Sequence, residues 1–105
     1  MNKREIIAAL TPWAAHYAAI NAAYEPLAEA LRLGPENPIF DALWRGFDAH
    51  TDTLAQLVGD GDEWLCWFAH ENEMGAKKHE ASVKGGKMRK ICSLADLARV
   101  IVESR

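Results

Sequence analysis

The chain has 105 residues, half of them hydrophobic, and a formal net charge of −3. This length suits one domain with its own core, and this composition excludes an intrinsically disordered chain. The slightly acidic charge argues against a general nucleic-acid binder, and two cysteines are too few for a disulfide scaffold. Because there is neither a signal-peptide pattern nor an apolar run long enough to span a membrane, we expect a cytoplasmic protein.

A long first helix is predicted from about residue 3 to residue 33. Its large side chains recur at alternating steps of four and three, the spacing of a helix that packs along its length against another helix. Thr11-Pro12 suggests a short lead helix before the main one, Pro26 suggests a kink, and Gly34-Pro35 predicts the end with glycine as the left-handed cap. The residues of this seam are Ile6, Leu10, Trp13, Tyr17, Ile20, Tyr24, Leu27 and Leu31.

Two further helices are predicted in the middle of the chain. Asn37-Pro38 favours the start of the second helix, and apolar side chains at helical spacing carry it to about Val58. Residues 59–62 predict a turn in which Asp62 caps a third helix, from Glu63 to about Glu73. Because residues 64–69 are apolar nearly all round, we expect this third helix to be the most buried element.

The last part of the chain predicts a hairpin and a helix. Residues 80–84 and 87–91 are expected to pair around Gly85-Gly86, and Ser93 with Asp96 forms a near capping box. The last helix is expected to turn these residues inward: Leu94, Leu97, Ala98, Ile101 and Val102. The elements together predict a mainly α fold, a single small domain of four to five helices with a long N-terminal helix.

Four residues have the chemistry of zinc ligands: Cys66, His70, His79 and Cys92. The set lacks the closely spaced pair of ligands that structural zinc sites usually contain. Cys66 also lies among tryptophans, where a thiol behaves as a small hydrophobic group. We therefore expect neither metal nor cofactor, and the motifs of common enzyme classes are missing as well, so we do not expect an enzyme.

The first helix is predicted to be longer than the helices that cover it. In one interpretation, the whole seam is buried against the other helices of the same monomer. In the other, its N-terminal end around Ile6, Leu10 and Trp13 overhangs the domain and is covered by a second copy or by a partner protein.

Charge is unevenly distributed along the chain. Residues 36–73 hold nine acids and one base, whereas residues 77–90 hold six bases and one acid. The basic segment either folds over the acidic helices of its own domain or docks on an acidic or phosphate-bearing partner.

The segment Trp64-Leu65-Cys66-Trp67-Phe68-x-x-Glu71-Asn72-x-x-Gly75, followed by Ile91 and Asp96-Leu97-Ala98, resembles the C-terminal part of small accessory proteins of bacteria and their prophages. The similarity covers residues 64–98 and carries no specific activity. It implies a small cytoplasmic protein of a kind that often acts by binding and blocking a larger protein.

These observations favour a non-enzymatic regulator or inhibitor, expected to be a homodimer, that docks on a larger bacterial protein such as a transcriptional regulator or a defence complex. The residues assigned to partner binding are Ile6, Leu10, Trp13, Tyr17 and Tyr24 for the apolar contact, and Lys77, Lys78, Lys84, Lys87 and Arg89 for an electrostatic rim. The alternatives are a binder of nucleic acid or phosphate ligands through residues 77–90, and a small zinc-binding protein.

Overall fold

A computed structural model describes residues 1–59 and 62–105, with the side chains of residues 62 and 63 outside the description. The predicted mainly α fold is confirmed, as is the hairpin near residues 80–91. In chain order the elements are α1 (Lys3–Leu31), α2 (Pro38–Val58), α3 (Asp62–Cys66), a π-helical segment (Trp67–Glu71), a 3-10 turn (Glu73–Gly75), β1 (His79–Ser82), β2 (Met88–Ile91) and α4 (Leu94–Glu103).

Helix α1 is one continuous helix, so the predicted lead helix is wrong. Asn2 and Glu5 form a capping box at its start, and both Pro12 and Pro26 lie inside it. The Thr11 hydroxyl donates to the Ile7 carbonyl (2.8 Å), within the turn that precedes Pro12. Arg32, with φ 52°, is the left-handed residue that ends the helix, rather than Gly34.

Helix α2 starts and ends where the sequence predicts. The Asn37 side chain accepts hydrogen bonds from the backbone N–H groups of Ile39 and Phe40, and Pro38 occupies the first turn. Gly59, with φ 72°, ends the helix. Residues 60 and 61 of the predicted turn, and the Asp62 side chain that was predicted to form the cap, lie outside the description.

Helices α1 and α2 pack along their length through aromatic side chains. Trp13 stacks on Phe47 (ring centroids 5.6 Å apart), and its indole N–H donates to the buried Thr51 hydroxyl (2.8 Å). Further along, Tyr24 meets Phe40 edge to face at 5.2 Å. These contacts fix the two helices side by side, because large rings and one directed hydrogen bond permit few alternative registers.

The residues of the W-x-x-W-F-x-x-E-N-x-x-G segment join the helical part of the chain to the hairpin. Asn72 is fully buried, and its amide donates to the carbonyls of Lys77 (2.5 Å) and Ile91 (3.1 Å). Gly75 has φ 93°, and a Cβ there would lie 2.6 Å from the Cys92 carbonyl oxygen. Two residues of this segment therefore have a structural role, whereas Glu71 is exposed.

The hairpin leads into α4. Residues 79–82 pair antiparallel with residues 88–91, and Gly85, with φ 88°, occupies the tight turn. Ser93 Oγ accepts from the Asp96 N–H (3.1 Å), while the Asp96 carboxylate accepts from the Cys92 N–H (2.9 Å). One inward position in α4 was wrongly predicted, since Val102 is 37% exposed and Val100 is buried instead.

The N-terminal half of α1 lies inside the molecule, so the predicted N-terminal overhang is wrong. Helix α4 packs against α1, and Ile6, Leu10 and Trp13 are completely buried in a core that also includes Leu97 and Ile101. The apolar face of α4 predicts burial but not its partner, which is why the sequence placed the uncovered end wrongly. The exposed end of the seam is the opposite one, where Leu31 is 56% exposed.

Candidate partner-binding groove

An open groove runs beside strand β1. It has a volume of about 280 Å³ and is lined by Trp64, Trp67, Glu80, Ala81 and Ser82, which we call the edge groove. The two indoles meet edge to face, 6.0 Å apart at 87°, and both are partly exposed. A space of this size suits one apolar side chain of a partner.

The strand that borders the groove has unpaired backbone groups. The Val83 N–H donates to the Lys87 carbonyl (2.9 Å), which makes this pair a hydrogen-bonded one. Hydrogen-bonded and non-hydrogen-bonded pairs alternate in an antiparallel ladder, so the backbone groups of Glu80 and Ser82 point away from β2. Within the described part of the chain no backbone partner meets them, and β1 therefore has a free edge at the groove.

Several lysines lie in the hairpin and next to it in sequence. Four of them, which we call the lysine rim, are exposed and form no ion pair with any described residue: Lys78, Lys84, Lys87 and Lys90. Lys90 lies directly opposite Glu80 in the strand register, so the one acid of the hairpin has a basic neighbour across the ladder.

Two basic residues of the predicted rim have partners instead. Lys77 pairs with Glu73 (3.0 Å), and Arg89 forms a two-point contact with Glu103 (2.8 and 3.2 Å). The hydrogen bond from Arg89 holds the pKa of the Glu103 carboxyl below its ordinary value. Arg89 thus links the hairpin to α4, and its charge is already paired rather than open to a partner protein. Lys78, Lys84 and Lys87 of the predicted rim are exposed.

The apolar residues predicted to bind a partner do not form one surface. Ile6, Leu10 and Trp13 are core residues. Tyr17 and Tyr24 are half-buried between α1 and α2, where Tyr17 contacts Trp44 at 5.2 Å and the Tyr24 hydroxyl accepts from the Asn37 amide (2.6 Å).

Tyr24 belongs to a part of the molecule in which several large apolar side chains are only partly covered. Residues 20–44, which we call the two-helix arm, include the C-terminal half of α1 and the start of α2. Leu31 is 56% and Ile39 36% exposed there, while Tyr24, Leu27 and Phe40 are half-buried. This arm is a second partly apolar surface, apart from the edge groove.

The four possible zinc ligands are not brought together. None of the groups formed by the described residues contains three or more His, Cys, Asp or Glu side chains placed to hold a metal ion. His79 packs edge to face on Trp67 (5.6 Å), while His70 lies 3.7 Å from Asp48 and against Trp44. The zinc-binding alternative therefore has no support from the geometry of Cys66, His70, His79 and Cys92.

A pair of histidines joins α1 to α2. The Nδ1 atoms of His16 and His50 lie 3.0 Å apart, and His16 also meets Phe47 edge to face. A contact of this length between two imidazole nitrogens is a hydrogen bond when one ring is neutral and accepts. Partial burial, and to a lesser extent the charge of His16, lower the pKa of His50.

Sequence reasoning missed the residues that form the edge groove. The apolar run of residues 64–69 predicts burial, whereas Trp64 and Trp67 within it are partly exposed. The chain changes from α to π winding at Trp67, where the Asn72 N–H bonds back five residues to the Trp67 carbonyl (3.0 Å). Such a change re-aims side chains and is frequent at functional sites.

Comparison with known proteins gives no relative: no family model, no curated protein and no solved structure matches this chain. In the described residues, the helices are too short or too polar to cross a membrane.

Proposed function

We propose that this chain is a non-enzymatic protein-binding module that docks on a larger protein through the edge groove. The observation that carries the proposal is the coincidence of two partly exposed indoles with a free strand edge. Tryptophan is enriched at the centres of protein interfaces because one side chain removes a large apolar area from water at little entropic cost.

The regulatory role and the homodimer that we propose are based on the sequence. Docking of this kind suits a regulator or inhibitor of a bacterial protein in the cytoplasm. The proposal extends to a homodimer, in which a second copy covers the two-helix arm at Leu27 and Leu31. Two-helix units commonly bury such a face by forming a four-helix bundle.

Selection from a random peptide library tests the docking function. The pool enriched on the wild-type protein is measured against Ser82→Tyr, which adds a ring at the edge groove without removing a core residue. The matched control is Met88→Tyr, because Met88 lies opposite Ser82 on β2, is 55% exposed and does not line the groove. We expect binding to fall about tenfold or more for Ser82→Tyr only. Equal binding to both variants, or failure to enrich any peptide, contradicts the proposal.

Binding of nucleic acid or a phosphate ligand is a second candidate, favoured by the exposed lysine rim. It predicts that the affinity for a single-stranded oligonucleotide falls by about tenfold or more between roughly 50 and 200 mM salt. Binding that is absent, or that does not respond to salt, removes this candidate.

A further inference from the structure

We propose that the edge groove takes an extended, acidic segment of the partner, which adds to β1 as a third strand of the sheet. The inference rests on the proposed docking function and specifies the conformation and charge of what docks. Three features carry it: the free backbone groups of Glu80 and Ser82, the adjacent indoles and the lysine rim.

The backbone of β1 supplies the first part of the recognition. Glu80 and Ser82 each offer one N–H and one C=O on the side away from β2, and both residues are exposed. An added strand satisfies alternate groups on one side of an extended chain, so its main chain gives affinity without regard to sequence. A helical ligand uses its own backbone groups within the helix, so it has none free to form hydrogen bonds with these two N–H and two C=O groups of β1.

The indoles supply an anchor position. Trp64 and Trp67 border the same strand edge, in a groove whose volume of about 280 Å³ suits one apolar side chain. In strand addition, alternate side chains of the ligand point to the same face of the sheet, so a single residue enters such a groove while its neighbours do not.

The lysine rim selects the charge of the ligand and argues against self-pairing. Lys78 precedes β1 and Lys84 follows it, both exposed, so two copies joined edge to edge in antiparallel fashion at β1 would bring these like charges together. Lysines beside an exposed edge are a common protection against such pairing. An acidic strand is attracted instead of repelled, because glutamate or aspartate side chains at its flanks would lie close to Lys78 and Lys84.

A nine-residue synthetic peptide that alternates glutamate and valine around a central leucine tests this inference. Amide chemical shifts of the ¹⁵N-labelled protein are followed during titration. We expect the largest shifts at Glu80 and Ser82 and in the indole N–H signals of Trp64 and Trp67, with slower hydrogen exchange at the two strand amides. The same peptide with lysine in place of glutamate is expected to bind about tenfold more weakly or worse.

Backbone methylation of the peptide separates strand addition from other modes of docking. Peptides methylated at odd or at even nitrogens have the same composition, but only one set loses the N–H groups that face β1. We expect one set to lose about tenfold or more in affinity and the other to bind nearly as the parent does.

Three other results of these titrations would overturn the strand-addition inference. If both methylated sets bind equally while the indole signals shift, the groove docks proteins but not as an added strand, and this inference is overturned while the proposed function stands. If a ten-residue oligothymidine binds at Glu80 and Ser82 more tightly than the acidic peptide, the ligand is nucleic acid and the inference is wrong. If the parent peptide shifts none of these signals although library peptides bind at the groove, the acidic strand is likewise excluded.

Discussion

At the scale of single residues, the joint between the helices and the hairpin depends on one buried amide and one glycine. Asn72 has no exposed surface, and both N–H groups of its amide have carbonyl partners on different segments. Gly75 allows the backbone to pass close to Cys92. Neither role is visible in a periodicity of apolar residues, because both depend on backbone groups that are distant in sequence.

Replacement of Asn72 by alanine is expected to lower the free energy of unfolding by about 2–4 kcal/mol, because the carbonyls of Lys77 and of the buried Ile91 lose their donor. Urea unfolding followed by tryptophan fluorescence measures the loss. The exposed neighbour serves as the control, and Glu71→Ala is expected to change stability by less than about 0.5 kcal/mol. Similar unfolding midpoints for the two variants would show that the amide bridges do not stabilise the joint.

Two glycine substitutions are expected to have opposite signs. Gly75→Ala places a Cβ against the Cys92 carbonyl at a left-handed backbone position, so we expect a loss of about 2 kcal/mol or more. Gly46 lies inside α2 with open space around it, and Gly46→Ala should stabilise the protein by about 0.5–1 kcal/mol because alanine is the better helix former. Thermal unfolding of both variants checks the signs, and a stable Gly75→Ala protein would contradict the close approach.

At the scale of elements, the contact between α1 and α2 includes a histidine, His50, whose pKa is lowered by partial burial and by His16. The His16–His50 contact needs at least one neutral ring. The lowered pKa of His50 means that the unfolded chain binds its proton more readily than the folded protein does. The stabilising effect is therefore complete above the ordinary histidine pKa of about 6.5 and is lost as the pH falls through the lower folded value.

The expected outcome is a wild-type unfolding midpoint that declines as the pH falls below about 6.5. His50→Gln removes the titrating group and should flatten this part of the profile, whereas His79→Gln on the exposed hairpin should leave it unchanged. Urea midpoints measured in steps between pH 7.5 and 5 make the comparison. A His50→Gln profile that runs parallel to the wild type would show that the histidine pair is not the cause.

The sequence predicts where the helices begin better than it predicts which elements pack against each other. The starts of α2 and α4 follow from Asn37 and Ser93, whose side chains cap the next turn wherever the helix lies in the fold. The seam of α1 predicts a covered face, but nothing in it distinguishes cover by α2 from cover by α4. The edge groove was missed for a related reason: its indoles were correctly placed on a helix, yet their exposure depends on π winding and on the position of β1.

At the scale of the whole molecule, the protein is elongated, with extents of 49 × 25 × 18 Å. One end of α1 lies within the core and the other belongs to the two-helix arm. The seam of α1 therefore contains both fully buried core residues and exposed residues of the two-helix arm. The same substitution should unfold the protein at the first kind of position and leave it folded at the second.

Leu10→Glu and Leu31→Glu form a matched pair on the α1 seam. Leu10 is fully buried, so a carboxylate there is expected to cost more than about 4 kcal/mol and to leave the chain unfolded by circular dichroism. Leu31→Glu should stay folded and, in the proposed homodimer, should convert a dimer to a monomer in sedimentation experiments. A monomeric wild-type protein would refute the homodimer, and a folded Leu10→Glu protein would refute the assignment of the N-terminal half of α1 to the core.

The packing of α4 against α1 has a consequence for how the chain is made. The N-terminal half of α1, with Ile6 and Leu10, leaves the ribosome well before α4, the helix of residues 94–103 that packs against α1. During synthesis, the part of α1 that α4 covers in the finished fold lacks this cover until α4 has left the ribosome. Nascent chains stalled before residue 94 should therefore bind a chaperone that recognises exposed apolar segments, and release should coincide with the appearance of α4.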